Sequence, residues 1–289
     1  MNHNSPVEIR KALNALGARP KKRWGQNFML NPRTRDKLVA ALDPRPEEIV
    51  WEVGPGFGAL SEALAERCAK LVLFEIDHGL IRHLRQEVAS RSNVTLIEGD
   101  FIKTWVDTEA AEGRPDRIIG NLPFSSSSAV ISALAENEKV AGRCVFTVQK
   151  ELAERITAAP GTRNYSSFSV LCQVMADVTG RGELAPGTFY PVPEVTSAVV
   201  ELRSPAEDRN IRDREFLLQL IRTVFAARRK TLRNNLLAEG GFIGLPKAKL
   251  LEVVESTGTD SGVRAEELSP AQIIRLGNAL VDARLQADA

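Results

Sequence analysis

The chain has 289 residues, of which 43% are hydrophobic and 26% charged, and its formal net charge at pH 7 is +1. This composition is ordinary for a globular protein, and the length is enough for one large domain or two smaller ones. The small net charge excludes a uniformly basic surface. No apolar run approaches the roughly 18 residues that cross a bilayer, and the first residues lack the apolar stretch of a secretory signal, so we expect a cytoplasmic protein without a membrane partner.

The cysteines and histidines give no support for a thiol or metal site. Cys68, Cys144 and Cys172 are far apart, lack a CxxC spacing and lie in apolar neighbourhoods, so we expect buried small side chains. His3 falls in a segment that we expect to be frayed, and the other two histidines fall on one predicted helix surface. We therefore expect no metal cofactor.

The first 30 residues form a basic arm, in which Arg19 is followed closely by Lys21, Lys22 and Arg23. From about residue 49, short apolar runs alternate with amphipathic segments. The runs are IVWEVG (49–54), KLVLFEID (70–77), NVTLIEGD (93–100), RIIGN (117–121), RCVFTVQ (143–149), FSVLCQVMADV (168–178) and SAVVELR (197–203). The sixth run can be a strand or a short helix with a strand. Continuous Val, Ile and Leu runs separated by helices predict an α/β domain with a mostly parallel sheet.

After about residue 205 the pattern changes to helical periodicity without a convincing strand. We predict three regions: a basic arm (1–30), an α/β domain (31–205) and a small helical domain (206–289). The last contains a basic helix, FAARRKTLRNNL, which carries Arg228, Arg229, Lys230 and Arg233. Two basic patches on a nearly neutral body can bind a polyanion, although a solvated basic face is about as common for either run alone.

A glycine-rich turn, GPGFG (54–58), follows the first strand and opens a helix. Glycines there let the backbone turn sharply and approach a ligand. Glu75 ends the next strand about 20 residues beyond Gly54, where an acid can bind ribose hydroxyls, and Asp100 ends the third strand at the same rim. Nicotinamide and flavin enzymes use similar turns. Glu52, however, would place negative charge beside a pyrophosphate, and it suits a cationic ligand such as S-adenosylmethionine.

The tetrapeptide Asn121 to Phe124 ends the fourth strand at this rim. The Asn121 side-chain oxygen and the Leu122 carbonyl can accept hydrogen bonds from an exocyclic amine and localise its lone pair. Pro123 stiffens the loop, and Phe124 offers a face for an extruded base, worth about 1–3 kcal/mol by stacking. Alone, the tetrapeptide would be interpreted as a strand-end turn. Beside the glycine turn and two rim acids, it predicts methyl transfer to a nucleobase.

Seven motifs occur in a fixed order: KKRWGQNFML, EVGPGFGALSEALAE, FEID, EGDF, GNLPF, FYPVPEVTSAVV and FAARRKTLRNNL. Together they resemble the KsgA-type small-subunit ribosomal RNA adenine dimethyltransferases over nearly the whole chain. The resemblance implies a Rossmann-like methyltransferase fold with a seven-stranded sheet and a helical RNA-recognition domain. It also implies S-adenosylmethionine-dependent N6,N6-dimethylation of two adjacent adenosines near the 3′ end of 16S rRNA, linked to small-subunit biogenesis. We expect a monomer whose partner is this RNA or the immature small subunit.

The resemblance also implies roles for individual residues. The cofactor would contact Asn27, Met29, Gly54, Glu75, Asp100 and Asn121. The catalytic segment would be Asn121, Leu122, Pro123 and Phe124. The RNA contacts would be Lys21, Lys22, Arg23, Arg228, Arg229, Lys230 and Arg233. Glu75 would bind the ribose hydroxyls, Asp100 the adenine amine, and Asn121 would stand between the cofactor and the target amine.

Three departures from the family pattern and three alternative functions remain. The family has tyrosine at Phe124, leucine at Met29 and glycine at Ser166. The alternatives are a ribosome-assembly RNA-binding factor with secondary methylation, a related large-subunit rRNA adenine N6-methyltransferase, and a nicotinamide oxidoreductase. The basic C-terminal segment favours the small-subunit family over its large-subunit relatives.

Overall fold

The computed structural model describes residues 1–17, 26–137, 141–238 and 243–287, which contain nine strands and twelve helices. The strands are β1 Phe28–Met29, β2 Ile49–Val53, β3 Lys70–Glu75, β4 Val94–Glu98, β5 Arg117–Asn121, β6 Arg143–Gln149, β7 Asp177–Leu184, β8 Phe189–Tyr190 and β9 Ser197–Arg203. The helices are α1 Pro6–Ala15, α2 Pro32–Leu42, α3 Ser61–Ala65, α4 His78–Glu87, α5 Phe101–Glu112, α6 Ser127–Glu136, α7 Lys150–Ile156, α8 Ser167–Met175, α9 Arg214–Val224, α10 Leu232–Ala238, α11 Lys247–Ser256 and α12 Pro270–Ala287.

Seven of the strands form one sheet in the order β4-β3-β2-β5-β6-β9-β7. Strands β2 to β6 pair in parallel, and β9 runs antiparallel to β6. The predicted mostly parallel seven-stranded sheet is therefore confirmed. Because parallel strands end on the same edge, the carboxyl ends of β2, β3 and β5 meet at one rim.

The centre of the sheet is closely packed, and this packing fixes the end of β5. Ile118 and Ile119 are fully buried. A Cβ atom on Gly120 would lie 2.7 Å from the Val53 carbonyl oxygen, so only glycine fits where β5 passes β2. This close approach brings Asn121, the next residue, to the rim.

A second, two-stranded sheet joins distant parts of the sequence. Strands β1 and β8 pair antiparallel, with Phe28 opposite Tyr190 and Met29 opposite Phe189. The Leu30 amide extends the pairing by donating to the Thr188 carbonyl at 2.8 Å. Two-residue strands carry no periodicity, so the sequence pattern did not predict this pairing.

The chain divides into two compact units. The first comprises Met1–Ala153 and Val178–Ser204, and the second comprises Glu154–Asp177 and Pro205–Ala289. This division places the boundary near the predicted residue 205, but it assigns 154–177 to the helical unit rather than to the α/β domain. No helix in the described residues is long and apolar enough to cross a bilayer.

The predicted basic helix is wrong, because the segment is broken by a loop. Helix α9 ends at Val224, and α10 begins at Leu232. Between them lies the basic loop (225–231). The buried Asn235 side chain donates to the carbonyl oxygens of Val224 at 2.7 Å and Ala227 at 3.2 Å, so it satisfies groups that a continuous helix would have bonded. Arg228, Arg229 and Lys230 therefore lie in the loop, and Arg233 lies in α10.

Candidate active site

A cavity of about 310 Å³ opens at the carboxyl ends of β2, β3 and β5, within the first unit. This volume is at the lower end of the range for small-molecule sites. All six residues predicted to contact the cofactor line it: Asn27, Met29, Gly54, Glu75, Asp100 and Asn121. The structure thus brings these residues together, while their role in binding stays a prediction.

The glycine turn forms part of the cavity wall. Gly54 has a φ of 70°, and a Cβ atom there would meet no atom within 4 Å, so this position keeps the ligand side open. Gly58 has a φ of 85°, and its Cβ would lie 2.8 Å from the Val88 side chain. The first glycine therefore gives space to a ligand, whereas Gly58 permits close packing.

The Glu75 carboxylate is buried and held by three backbone amides. Its Oε1 accepts from the amides of Ile76 and Asp77, both at 2.9 Å, and its Oε2 accepts from Gly56 at 3.2 Å. Burial outweighs these hydrogen bonds and raises the pKa of Glu75 to about 7. The carboxylate is rigidly oriented, and Oε2 keeps capacity for a further donor.

Glu52 is a second buried carboxylate in the cavity wall. It is 1% exposed, and its Oε2 accepts a hydrogen bond of 2.6 Å from the Ser61 hydroxyl. Burial, together with the neighbouring Glu75, raises the pKa of Glu52 to about 7. Two acids in one wall favour a cationic ligand, because a positive charge compensates the cost of ionising them.

Two aspartates cap helices at the rim. Asp100 Oδ1 accepts from the Ile102 amide at 3.1 Å, which fixes its carboxylate beside the cavity. Asp77 Oδ1 accepts from Gly79 at 2.8 Å, and its Oδ2 accepts from Gln26 Nε2 at 3.1 Å. Sequence reasoning missed the link between Gln26 and Asp77. Two sequence features could have indicated it: the polar residues Gln26 and Asn27 directly before β1, and an aspartate at a position typical of a helix N-cap.

The Asn121 side chain has a defined orientation. Its Nδ2 donates a hydrogen bond of 2.7 Å to the Asn27 carbonyl oxygen. Because a carbonyl only accepts hydrogen bonds, Nδ2 must be the atom that faces Asn27. The side-chain oxygen Oδ1 therefore points away from the Asn27 carbonyl. The segment before β1 thus fixes the orientation of the side-chain amide of this cavity-lining residue.

The serines after Phe124 shape the neighbouring carbonyl groups. Pro123 O accepts from the Ser126 and Ser127 amides, both at 3.0 Å, and from Ser127 Oγ at 2.7 Å. Leu122 O receives only a marginal contact of 3.5 Å from Ser127 Oγ. The turn therefore satisfies the proline carbonyl and leaves the Leu122 carbonyl with capacity to accept.

The four predicted catalytic residues do not all face the cavity. Asn121 and Pro123 line it, whereas the Leu122 side chain is 1% exposed and packs in the core. Only the backbone of Leu122 can therefore act on a ligand. Phe124 is half-buried and is not among the residues that line the cavity, so its stacking role stays a prediction.

The predicted RNA-binding residues differ in their surroundings. Lys21, Lys22 and Arg23 lie outside the described residues. Arg229, Lys230 and Arg233 are exposed. Arg228 is exposed too, but it donates from Nε to Glu266 Oε2 and from Nη2 to the Arg163 carbonyl, both at 2.7 Å, which ties the basic loop to two other segments of the second unit.

His3 is buried rather than frayed, which corrects the expectation from sequence. It is 7% exposed, lines the cavity, and its Nε2 lies 3.1 Å from Glu62 Oε1. The reason is α1, which anchors the segment by burying Ile9 and Leu13. The polar residues 1–5 gave no sign in the sequence that an amphipathic helix follows and holds His3 in place.

The cysteines and acids do not form another type of site. All three cysteines are buried, and burial raises the pKa of Cys68 to about 11 and of Cys144 to about 12. None of the three is among the residues that line the cavity. Within the described ranges, no group of three or more His, Cys, Asp or Glu side chains could hold a metal ion.

Comparisons with known proteins point to one family. The family model described as ribosomal RNA adenine dimethylase matches residues 17–281. The Treponema denticola protein named ribosomal RNA small subunit methyltransferase A is 37% identical over 273 residues, covering 93% of this chain and 92% of the relative. A Syntrophotalea carbinolica protein of the same name is 40% identical over 257 residues, covering 88% and 94%.

Solved structures agree with this match. A dimethyladenosine transferase from Plasmodium falciparum has a TM-score of 0.75 and 26% identity, covering 86% of this chain and 95% of that protein. The 23S rRNA methyltransferase ErmE has a TM-score of 0.66 and 23% identity, covering 88% and 100%. The second likeness shows the fold alone.

Proposed function

Because this chain belongs to the ribosomal RNA adenine dimethylase family, we propose that it transfers methyl groups from S-adenosylmethionine to adenosine N6 in small-subunit rRNA. The predicted family is thus confirmed. The product is N6,N6-dimethyladenosine at two adjacent adenosines near the 3′ end of 16S rRNA, and the reaction is linked to small-subunit biogenesis. We expect a cytoplasmic monomer that acts on the rRNA or the immature small subunit.

One observation carries this proposal: Asn121 lines the cavity, and a hydrogen bond fixes the orientation of its side-chain amide. Its nitrogen is committed to the Asn27 carbonyl at 2.7 Å, so its oxygen is available to an incoming N–H donor. The Leu122 carbonyl, with only a marginal contact of 3.5 Å, is a second acceptor next to it in the chain. Two adjacent acceptors suit the two hydrogens of an adenine amine.

The two acceptors explain how a poor nucleophile can react. The lone pair of the adenine amine is delocalised into the ring, and hydrogen bonds from both its hydrogens favour a pyramidal nitrogen. S-adenosylmethionine, when bound, would supply the methyl group to this nitrogen and leave as S-adenosylhomocysteine, while the proton given up by the amine would pass to water. Alignment of the reacting atoms supplies most of the catalysis, for which about 7–11 kcal/mol of barrier reduction is attainable.

The cavity walls fit S-adenosylmethionine, which supplies a methyl group already activated on a positively charged sulfur. Glu52 and Glu75 provide the negative charge that a cationic ligand needs, and the open space at Gly54 admits one. We propose that Glu75 binds the ribose hydroxyls, that Asp100 binds the adenine amine, and that Asn27 and Met29 complete the pocket.

The proposal is tested by incubating unmethylated small-subunit rRNA with the protein and isotope-labelled S-adenosylmethionine, followed by mass spectrometry. We expect two methyl groups on each of two adjacent adenosines. Asn121→Ala should abolish the transfer while the protein remains folded. Absence of any label with the wild-type protein, or full transfer by the variant, would refute the assignment.

The alternatives from sequence are now weaker. Family membership removes the nicotinamide oxidoreductase, and the Treponema denticola and Syntrophotalea carbinolica relatives, at 37% and 40% identity, are named for the small subunit. An added role in ribosome assembly stays a prediction. RNA binding that survives Asn121→Ala but fails after charge reversal at Arg229 and Lys230 would support that role.

A further inference from the structure

Residues 1–17, which we name the N-terminal cap, form part of the wall of the cofactor cavity. Helix α1 buries Ile9 and Leu13 in a cluster with Phe28, Phe57 and Leu80. Two cap residues, His3 and Ile9, line the cavity itself. The family match begins at residue 17, so almost all of the cap lies outside it.

Two polar contacts hold the cap to the elements around the cavity. His3 Nε2 lies 3.1 Å from Glu62 Oε1 in α3, the helix that follows the glycine turn. Because a carboxylate only accepts, the imidazole Nε2 is the donor. Asn4 Oδ1 accepts a hydrogen bond of 2.5 Å from Arg35 Nη2 in α2.

Arg35 links the cap to the predicted cofactor-binding segment. Its Nη1 donates to the carbonyl oxygens of Met29 at 3.3 Å and Leu30 at 3.2 Å, while its Nη2 holds Asn4. One guanidinium thus fixes both the cap and the strand that carries Met29. Displacement of the cap would remove part of the cavity wall and the packing of Ile9 and Leu13 against Phe28 in β1.

The cap is attached by few buried groups. Among its ten helical residues, only Ile9 and Leu13 are buried, while Val7 is 48% exposed. A helix of this length is marginal without tertiary contacts. Segments with so few buried apolar contacts open locally far more often than the whole protein unfolds.

We propose that the N-terminal cap retains the cofactor: it closes the cavity over the ligand and must lift before the ligand enters or leaves. The identity of that ligand rests on the proposed function. Dimethylation of one adenosine consumes two methyl donors, so the demethylated product must leave and a fresh donor must enter at least once per base. Cap opening therefore contributes to the rate of cofactor exchange, a step that often limits turnover.

The test compares the release of S-adenosylmethionine from full-length Ile9→Ala, Val7→Ala and wild-type protein by stopped-flow displacement. Both variants shorten a side chain on the same helix, but only Ile9 lines the cavity and is buried. We expect about 10-fold or faster release from Ile9→Ala and unchanged release from Val7→Ala. Equal release rates for all three proteins would overturn the proposal.

Two further measurements do not depend on the folding of Ile9→Ala. His3→Ala, which removes one polar contact, should accelerate release about three-fold, on the order expected for a charge-assisted hydrogen bond. In wild-type protein, the backbone amides of residues 7–15 should gain protection from hydrogen exchange when the cofactor is bound, whereas those of α11 should not. Unchanged protection of residues 7–15 in protein that binds the cofactor would contradict the role of the cap but not the proposed function. Failure of wild-type protein to bind the cofactor would instead contradict the proposed function.

Discussion

At the scale of single residues, the hydrogen bond between Asn121 Nδ2 and the Asn27 carbonyl leaves Oδ1 as the atom of this amide that can accept from the proposed target amine. Asn121→Asp keeps the shape and one oxygen, but it replaces the donating nitrogen by an oxygen that repels the Asn27 carbonyl. We expect methyl transfer in a single turnover to fall by about 100-fold or more, since an acceptor pre-oriented for the transition state is lost.

Asn137→Asp is the matched control for this change. Asn137 also donates from Nδ2 to a backbone carbonyl, that of Ala133, but it lies on the exposed end of α6 and is not among the residues that line the cavity. We expect wild-type transfer from the control. Normal transfer by Asn121→Asp would show that the orientation of the amide is not what the reaction requires.

Glu52 makes stability and cofactor binding depend on pH in opposite directions. Its pKa in the folded protein is about 7, above its ordinary value of 4.5, so the folded state favours the protonated form. Its contribution to stability is therefore full below about pH 4.5 and is lost as the pH rises through 7. A cationic ligand instead needs the ionised form, so its affinity should fall as the pH drops below 7.

Glu52→Gln tests both effects. At pH 8 we expect the free energy of unfolding to increase by up to about 3 kcal/mol, while S-adenosylmethionine binding weakens; at pH 4, below the ordinary pKa, stability should be nearly unchanged. Thermal unfolding and calorimetry at both pH values measure this. Glu66→Gln, at a side chain that is 68% exposed, should change neither quantity. Tighter ligand binding by Glu52→Gln would contradict the role of the charge.

At the scale of elements, the basic loop is held in place by Arg228. The Glu266 side chain is 20% exposed and accepts from Arg228, which also donates to the Arg163 carbonyl. Arg228 thus positions the loop in this structure although its side chain is 55% exposed, and its neighbours Arg229 and Lys230 are exposed as well. A fixed loop presents charges to a phosphate backbone without first having to be ordered.

Glu266→Gln tests whether Glu266 affects RNA binding by holding the basic loop in place or only through its negative charge. Removing a negative charge near a polyanion-binding surface should strengthen RNA binding if only electrostatics matters. We expect binding to weaken about three-fold or more instead, because the loop loses its ionic partner. Glu255→Gln, at an exposed glutamate of α11, is the control and should leave binding equal or slightly tighter. Filter-binding titrations show whether the variant binds RNA more weakly or more tightly than wild-type protein. Tighter binding by Glu266→Gln would contradict the positioning role.

The elements also show what the sequence can and cannot predict. Runs such as IVWEV and RCVFTVQ are buried on both faces, so their strands and the rim at their ends followed from apolar content alone. The break between α9 and α10 depends on the buried amide of Asn235, and the β1–β8 pairing on contacts between distant residues. The burial of His3 likewise depends on tertiary contacts. Such features have no local periodicity.

At the scale of the whole molecule, a net charge of +1 means that attraction to RNA must come from local patches. We expect the affinity for small-subunit rRNA to fall steeply with salt. Alanine at Arg229, Lys230 or Arg233 should each reduce the slope of log K against log salt by about one, as expected for one phosphate contact.

Binding measured between about 50 and 300 mM salt would check this expectation. Alanine at Arg284, a basic residue of the last turn of α12 that is not predicted to contact RNA, is the control and should leave the slope unchanged. An affinity independent of salt would contradict a phosphate-based surface.

The most direct measurement is an experimental structure of the protein with S-adenosylmethionine bound. We expect the ligand in the cavity of about 310 Å³, with Glu75 at its ribose and its methyl group directed toward Asn121 Oδ1 and the Leu122 carbonyl. A ligand bound elsewhere, or a methyl group directed away from a buried Asn121 oxygen, would contradict the proposed mechanism.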